Sequence, residues 1–269
     1  MMRRLILPLA FLIAGCERDG AIAPGQIVSN TPCVDAVLAE IAAPGQIGAV
    51  SIWSQDPASA SAPVAWARAH PALGLTAEEI IAVRPKLLLT GNLATGGTNE
   101  ALRKAGIPMR TYGVPVNVAD SIAQVRDIAA AIDRVAAGEK LVRRIADAAA
   151  PRILRRPLSA IIWQSDGYVP GQGTLQDDLL ARAGYRNASV LYGLKQWDIL
   201  PTERVLASPP DLIFMPKSAN GTEGRELTAR RRLLAHLGAR TRIMPFPDKL
   251  LFCGGPSIIE AMHRLKAAA

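Results

Sequence analysis

Apolar residues recur in the same arrangement twice, once in each half of the chain. In the first copy Glu78 opens a stretch with apolar residues at helical spacing, and Pro85 interrupts it before the apolar run 87–89. The second copy repeats this spacing with Glu203, Val205, Leu206, Ala207, Pro210 and Leu212. The pattern is typical of a short helix that leads into a buried parallel strand. The repeat therefore predicts two halves built to one design.

Short apolar runs alternate with helical patterns in the rest of the chain. We predict strands at residues 26–29, 47–52, 109–112 and 159–163, helices at 34–41 and 99–105, and a loop at 54–71. Alternating strands and helices predict parallel sheets. The expected fold class is α/β, with an N-terminal lobe over residues 26–116 and a C-terminal lobe over residues 151–269.

The segment between the lobes, residues 117–150, has a helical pattern in which Gly138 is the only breaker. A helix of this length extends roughly 50 Å. We predict that one long α-helix joins two Rossmann-like lobes, each with a parallel sheet. Open parallel sheets bind ligands beyond the carboxyl ends of their strands. A ligand cleft is therefore expected between the lobes.

The first residues have the composition of an export signal. Arg3 and Arg4 give a positive start, residues 5–14 are apolar, and Cys16 follows. Ten apolar residues are too few to span a bilayer. Residues 13–16 resemble the bacterial lipobox, which implies a lipoprotein signal at 1–16 and lipidation of Cys16. An ordinary signal peptide cleaved after Ala23 is the alternative, and both predict an exported protein.

The formal net charge of the chain is +8. Basic chains often bind nucleic acid. Here the basic residues are scattered, and an exported protein meets little nucleic acid. The main cluster is expected to lie on a solvated helix and consists of Arg225, Arg230, Arg231 and Arg232. We therefore expect no nucleic acid partner.

Two α/β lobes joined by a long helix behind a lipoprotein signal resemble the class III substrate-binding proteins of bacterial ABC importers. This family captures cobalamin, haem and ferric siderophores. The resemblance covers nearly all of the mature chain and includes segments 27–29, 106–108, 171–175 and 254–256. It implies a periplasmic, lipid-anchored, monomeric receptor that delivers a corrinoid, haem or a ferric siderophore to an importer. It implies no catalytic residue and no covalently bound cofactor.

In that family one surface glutamate per lobe docks into arginine pockets of the permease dimer. The matching positions in this chain are Glu78 and Glu203, and their equal spacing to Pro85 and Pro210 supports equivalent places on the two lobes. Two distant carboxylates on rigid elements fix an orientation through charge-assisted pairs. The alternative role is to complement a helix dipole, which Glu79 fits as a capping residue.

The resemblance also implies ligand contacts in the loops that follow the strands. The candidates are Trp53, Asn92, Tyr168, Trp197 and Asp248. The two tryptophans match places where cobalamin-binding members carry aromatic residues, and flat rings suit a flat macrocycle. Buried structural tryptophan is the alternative. The chain lacks an aromatic residue shortly before the first repeated glutamate, a departure from cobalamin binders that favours haem or a siderophore.

With Cys16 lipidated, Cys33 and Cys253 are the remaining cysteines. On the fold of the family they lie at the mouths of the lobes and approach one another across the cleft. An oxidising compartment then allows a disulfide. Ligation of a soft metal and two separate thiols are the alternatives.

Other classes of protein fit the chain less well. A receptor for bare metal ions needs several His and carboxylate ligands, and the chain has only His70, His236 and His263. The glycine fingerprint of nucleotide-binding enzymes and the Gly-x-Ser-x-Gly elbow of hydrolases are both absent. An exported thiol-dependent α/β enzyme built on Cys33 and His70 stays open as the alternative function.

Overall fold

The computed structural model describes residues 26–74, 76–92, 96–216 and 225–268. The predicted export signal, including Cys16, lies outside the described residues. The strands are β1 (Ile27–Ser29), β2 (Ile47–Ser51), β3 (Ala72–Leu73), β4 (Leu87–Gly91), β5 (Met109–Tyr112), β6 (Leu158–Ile162), β7 (Tyr168–Pro170), β8 (Tyr185–Asn187), β9 (Trp197–Ile199), β10 (Leu212–Met215) and β11 (Arg242–Pro245). The helices are α1 (Pro32–Ile41), α2 (Val64–Arg68), α3 (Ala77–Val83), α4 (Gly96–Lys104), α5 (Val118–Ala131), α6 (Val135–Ala148), α7 (Leu175–Arg182), α8 (Thr202–Ala207), α9 (Arg225–Ala235) and α10 (Ser257–Ala267).

Two parallel sheets form the two lobes, and this confirms the predicted α/β fold class. The N-terminal sheet has the order β3-β2-β1-β4-β5, and the C-terminal sheet has the order β8-β6-β10-β11. The orders β2-β1-β4-β5 and β8-β6-β10-β11 correspond strand for strand. The repeated sequence block forms α3 with β4 in one lobe and α8 with β10 in the other. The prediction of a helix that leads into a buried parallel strand is confirmed.

Helices cover both faces of the central strands, so these strands are apolar throughout. In β10, Ile213 and Phe214 are both fully buried, although successive side chains of a strand point to opposite faces. Phe214 makes edge-on ring contacts with Tyr185 and Phe246 at centroid distances of 5.6 Å and 6.0 Å. Ile213 packs in a separate cluster that includes Trp163. The C-terminal sheet thus has one apolar core on each face.

The prediction of one long connecting helix is wrong. The segment folds into two helices, α5 and α6, that pack against one another as a hairpin. The chain reverses at Asp133, which has a left-handed φ of 56°. The amide of Arg134 then bonds the carbonyl oxygen of Ala129 at 2.7 Å, which closes the end of α5. Because an aspartate takes the place of the usual glycine, the sequence shows no break there.

The helix α6 is one of the elements that bridge the two lobes. It contacts α1 of the N-terminal lobe and α10 of the C-terminal lobe. Arg144 of α6 pairs with Glu40 of α1 at 2.6 Å, and the ammonium group of Lys266 in α10 bonds the carbonyl oxygen of Ala148 at 2.7 Å. The bridge between the lobes is therefore helical, as expected, but only fourteen residues long.

The predicted loop at 54–71 contains regular structure that the sequence did not show. A 3₁₀ turn spans Ile52–Gln55, and the short helix α2 follows at Val64–Arg68. Both elements lie in a stretch rich in Ser, Ala and Pro, where local turn signals outweigh any helical period. The 3₁₀ turn matters because it carries Trp53.

The close packing of the hairpin predicts an unusual response at Gly138. A Cβ atom at this position would overlap the Cβ of Ala129. We expect Gly138→Ala to destabilise the protein by about 1–3 kcal/mol through overpacking, although alanine is intrinsically favoured over glycine in a helix by about 1 kcal/mol. Urea unfolding measures the change. The matched control is Gly97→Ala in α4, where a Cβ meets nothing within 4 Å and should be tolerated. Equal stabilisation by both changes would contradict the hairpin packing.

Candidate ligand-binding cleft

A cleft of about 590 Å³ lies between the lobes. It is lined by Thr31, Pro32, Cys33, Trp53, Ser59, Val114, Gln164, Tyr168, Trp197, Leu251, Phe252 and Cys253. The lining residues follow the carboxyl ends of strands in both lobes, as expected for open parallel sheets. None of these described residues carries a charged side chain. The volume lies within the usual range for small-molecule sites of about 300–1,000 Å³.

Trp53 reaches the cleft from the N-terminal lobe because β2 ends in the 3₁₀ turn. Its amide donates a hydrogen bond to the hydroxyl of Ser51 at 3.3 Å, and its carbonyl oxygen accepts one from the hydroxyl of Ser59 at 3.0 Å. The local backbone is thereby fixed, while the side chain stays 51% exposed. This exposure excludes the alternative of a buried structural tryptophan.

Tyr168 and Trp197 come from the C-terminal lobe on a two-stranded ribbon. Strands β7 and β9 pair antiparallel, with Tyr168 opposite Ile199 and Pro170 opposite Trp197. The two aromatic residues are therefore diagonal neighbours on one face of the ribbon, whereas Val169 points to the other face and is buried. Both rings are 40% exposed. The ribbon presents two aromatic side chains to the cleft at once.

Cys33 and Cys253 form a disulfide at the floor of the cleft, with their Cα atoms 5.0 Å apart. Cys33 lies in the first turn of α1, and Cys253 follows β11, so the bond joins the two lobes. Two hydrogen bonds join α5 to the C-terminal lobe. The amide of Gly255 donates to the hydroxyl of Ser121 at 2.6 Å, and the amide of Val118 donates to a carboxylate oxygen of Asp178 at 2.8 Å.

The disulfide removes the alternative of a thiol-dependent enzyme. Such an enzyme needs a free thiolate at Cys33 close to a base, but Cys33 is bonded to Cys253. His70 is not among the described residues that line the cleft; its ring contacts Trp66 in a tilted arrangement at a centroid distance of 4.6 Å. The pairing of Cys33 with His70 as a catalytic site is therefore wrong.

Two other sequence candidates lie beside the cleft rather than among the residues that line it. Asn92 follows β4 and borders a side cavity of about 100 Å³ that shares Thr31, Val114 and Phe252 with the cleft. Asp248 accepts a hydrogen bond from Ser165 at 2.5 Å. Its burial raises the pKa of the carboxyl group. Asp248 thus supports the turn after β6 instead of facing the cleft.

Sequence reasoning missed the apolar part of the cleft rim. Val114 is 60% exposed and Phe252 is 47% exposed, both inside the cleft. Each lies shortly after the last strand of its own sheet along the chain, β5 or β11. Val114 follows the predicted strand 109–112, a signal that could have identified it, whereas the strand that precedes Phe252 was not predicted from the sequence.

One member of the basic cluster is not solvated. Arg230 is only 5% exposed, and its guanidinium lies 4.8 Å from the centroid of the Trp163 ring. It also donates a hydrogen bond to the carbonyl oxygen of Gln164 at 2.9 Å. Arg230 therefore supports the turn that leads to Tyr168, and the expectation of a fully solvated basic helix is wrong at this residue.

Glu78 and Glu203 occupy equivalent places on the two lobes. Both lie exposed in the first turn of their helices, α3 and α8. Each helix runs back against the strand that follows it, so its first turn lies at the carboxyl edge of the sheet. This is the edge that carries the cleft. Glu79 makes the local cap instead, with its amide bonded to the hydroxyl of Thr76 at 3.3 Å.

Within the described ranges, no cluster of three or more His, Cys, Asp or Glu side chains is placed to hold a metal ion. Among the same residues, no helix has both the length and the apolar character needed to cross a bilayer.

Two parallel-sheet lobes around an aromatic cleft define a two-lobed binding protein. The chain belongs to the periplasmic binding protein family, whose sequence model matches residues 27–240. It is a class III substrate-binding protein, the non-enzymatic receptor component of an ABC importer. No curated protein sequence matches the chain significantly.

Solved structures share this fold at low sequence identity. The periplasmic heme-binding protein RhuT from Roseiflexus sp. RS-1 in apo form is 21% identical, with a TM-score of 0.71 over 91% of this chain and 99% of that chain. The periplasmic heme-binding protein HutB of Vibrio cholerae is 18% identical, with a TM-score of 0.73 over 91% and 98% of the two chains. A periplasmic heme-binding protein from Pseudomonas aeruginosa is 20% identical, with a TM-score of 0.68 over 91% and 92%.

The disulfide predicts a strong dependence of stability on the redox state. It closes a sequence separation of 220 residues, and loss of such a bond typically costs about 2–5 kcal/mol. We expect the double change Cys33→Ser with Cys253→Ser to lower the free energy of unfolding by this amount in urea titrations. A reductant should destabilise the wild type equally and leave the double variant unaffected. An unchanged unfolding midpoint after verified reduction of the wild type would contradict the prediction.

Proposed function

We propose that this protein captures a corrinoid in the interlobe cleft and delivers it to the permease of its importer. The observation that carries the proposal is the composition of the cleft. Aromatic rings from both lobes, Trp53 on one side with Tyr168 and Trp197 on the other, line a space without charged side chains. A flat, apolar ligand with an uncharged edge complements such a surface.

The half-exposed rings supply a driving force for binding. Ligand contact that removes roughly 100 Å² of each ring from water contributes about 2–3 kcal/mol per ring. A flat macrocycle covers such rings with its faces, and the rings lose little rotamer entropy because each has two side-chain torsions. The aromatic residues are therefore the main expected source of affinity.

The polar groups of the cleft favour a corrinoid over haem. A corrin ring carries neutral amide side chains at its edge, whereas haem carries two carboxylates. Thr31, Ser59 and Gln164 offer neutral donors and acceptors that match amides. None of the described lining residues offers a cation for a carboxylate. The chain lacks an aromatic residue before Glu78, which is a departure from cobalamin binders. The preference for a corrinoid therefore rests on the match between the neutral polar groups of the cleft and the amides of the corrin ring.

Haem is the second candidate, and Tyr168 favours it. Its phenol is the one potential iron ligand among the described residues that line the cleft, and tyrosine is an established axial ligand of haem iron. The solved structures of similar fold include proteins described as heme-binding. Cobalamin carries its own axial base and needs no such ligand. Tyr168 therefore separates the two candidates experimentally.

Delivery also requires attachment to the membrane and docking to the permease, and we assign both roles to particular residues. Lipidation of Cys16 anchors the receptor at the membrane, where the permease lies. Glu78 and Glu203 dock into basic pockets of the permease, one from each lobe. Their exposure at the cleft edge of both sheets supports this assignment, because docking there places the cleft opening against the transport path.

Ligand binding is tested with the soluble chain that begins at Glu17. We expect saturable one-to-one binding of cobalamin or cobinamide in calorimetry and absorbance titrations. Trp53→Ala and Trp197→Ala should each weaken binding by about 10–100-fold, from the lost ring contacts. Trp66→Phe, a tryptophan outside the cleft lining, is the control.

Haem and a panel of ferric siderophores are titrated in parallel. Binding of haem that Tyr168→Phe weakens, together with no corrinoid binding, would identify the second candidate. Binding of a siderophore alone would contradict both macrocycle assignments. Failure of every compound to bind would overturn the proposed use of the cleft.

Docking is tested separately from ligand binding. We expect Glu78→Lys and Glu203→Lys to retain ligand affinity, since both residues lie outside the cleft lining, but to abolish the stimulation of ATP hydrolysis in the reconstituted importer. Repulsion between lysine and a basic pocket is the physical reason. Glu100→Lys, the same charge change on an exposed glutamate of α4, is the control. Full stimulation by both single variants would contradict the docking role.

A further inference from the structure

We propose that Asp35, a buried residue of α1, is the positioning residue that fixes Trp53 in the ligand cleft. The inference rests on the proposed role of Trp53 as a ligand contact. Asp35 itself does not line the cleft and touches no ligand. It acts through the 3₁₀ turn Ile52–Gln55, whose conformation decides where the indole lies.

One carboxylate oxygen holds this turn at both ends. Oδ2 of Asp35 accepts a hydrogen bond from the amide of Ser51 at 2.9 Å and another from the hydroxyl of Ser54 at 2.6 Å. The hydroxyl of Ser51 in turn accepts the amide of Trp53. Trp53 therefore lies between two residues that bond the same oxygen atom. The backbone of Trp53, from which the indole projects, cannot move far without loss of one of these bonds.

The same helix turn also connects Trp53 to the opposite lobe. Asp35 lies two residues after Cys33, which is bonded to Cys253 of the C-terminal lobe. The first turn of α1 thus holds the Trp53 turn on one side and the lobe that carries Tyr168 and Trp197 on the other. The separation of the aromatic rings across the cleft depends on this short stretch of backbone.

The fold keeps an acid here at a measurable cost. Asp35 is fully buried, and its Oδ1 has no hydrogen-bond partner among the described residues. Burial raises the pKa of the carboxyl group to about 7, against the opposing hydrogen bonds of Ser54, Ser29 and Ser51. An uncharged side chain that only filled space would avoid this cost. Two hydrogen-bond donors, from Ser51 and Ser54, point at one oxygen atom of Asp35, and a carboxylate satisfies both of them.

Other charged groups surround α1, but they do not account for the shifted pKa of Asp35. On α1 and on the elements packed against it, the other charged side chains are Glu40, Arg68, Asp120, Arg126, Asp127, Glu139, Lys140, Arg143, Arg144 and Asp147, and the titratable residues Asp56, His70 and Arg134 lie close to the ends of these elements. None of them contributes to the shifted pKa of Asp35, which arises from burial and three serine hydrogen bonds. Each of them is at least partly exposed to solvent.

Protonation of Asp35 affects ligand binding and stability in opposite directions. The ionised carboxylate makes charge-assisted hydrogen bonds, which are roughly twice as strong as neutral ones, so above pH 7 the Trp53 turn is held more firmly against local openings that leave Asp35 buried. The folded-state pKa of about 7 exceeds the ordinary value of 3.8. This contribution to stability is therefore fully present below pH 3.8 and is lost as the pH rises to about 7. If Asp35 had only a general structural role, stability would depend on pH but the hold on the Trp53 turn would not.

The first readout uses the protein without ligand. Hydrogen exchange at the amides of Ser51 and Trp53, corrected for intrinsic rates, should show about three- to tenfold more protection at pH 8 than at pH 6. In Asp35→Asn, which keeps the shape but not the charge, the protection should not change with pH. In Ser54→Ala the midpoint should move to higher pH, because the lost hydrogen bond lowers the pKa of Asp35 in the wild type. Glu40→Gln, on the same helix, is the matched control.

The second readout is the affinity for cyanocobalamin. The wild type should bind about three- to tenfold more tightly at pH 8 than at pH 6, and Asp35→Asn should bind with the low-pH affinity throughout. If Asp35→Asn keeps the full pH dependence of amide protection, the positioning role is overturned. Absence of cyanocobalamin binding at any pH would refute the proposed function instead, while the exchange measurement still decides the role of Asp35.

Discussion

The two lobes are fixed to one another at the floor of the cleft, and the geometry of the site depends on this constraint. The disulfide from Cys33 to Cys253 crosses there, and two hydrogen bonds join α5 to the C-terminal lobe, from Gly255 to Ser121 and from Val118 to Asp178. Gly254 permits the close approach, since a Cβ there would lie 2.6 Å from the hydroxyl of Ser121. The covalent link keeps the two lobes together at the floor, so the lobes cannot move apart there.

The cleft combines this rigid floor with exposed rings that the fold does not bury by itself. Trp53, Tyr168 and Trp197 retain between 40% and 51% of their surface in contact with water. Exposure of this much aromatic surface is unfavourable for an isolated receptor, and a ligand removes the penalty. The supporting contacts lie one layer deeper, with Asp35 beneath Trp53 and Arg230 beneath the turn that leads to Tyr168. The exposed rings are thus held by buried polar groups.

The sequence predicted those features that depend on local patterns. The repeated helix and strand could be predicted because their apolar period and the terminating prolines lie within ten residues of one another. The reversal in the connecting helix could not, since Asp133 adopts a left-handed conformation that normally requires glycine. The role of Asp35 was hidden as well, because an acid in the first turn of a helix is expected to face solvent and complement the dipole. Only the tertiary structure shows that this acid is buried beside Ser51 and Ser54.

The lobes are duplicated as scaffolds but not as binding surfaces. Glu78 and Glu203 belong to the repeated block and occupy matching places, which suits contact with two equivalent subunits of a permease. The aromatic residues break this symmetry. Trp53 follows β2, whereas Tyr168 and Trp197 come from the β7–β9 ribbon, which has no counterpart among the described strands of the N-terminal lobe. A ligand whose two faces differ needs two different surfaces, while a two-fold partner needs two alike. The division between repeated and unrepeated elements suits the proposed ligand capture and the proposed docking.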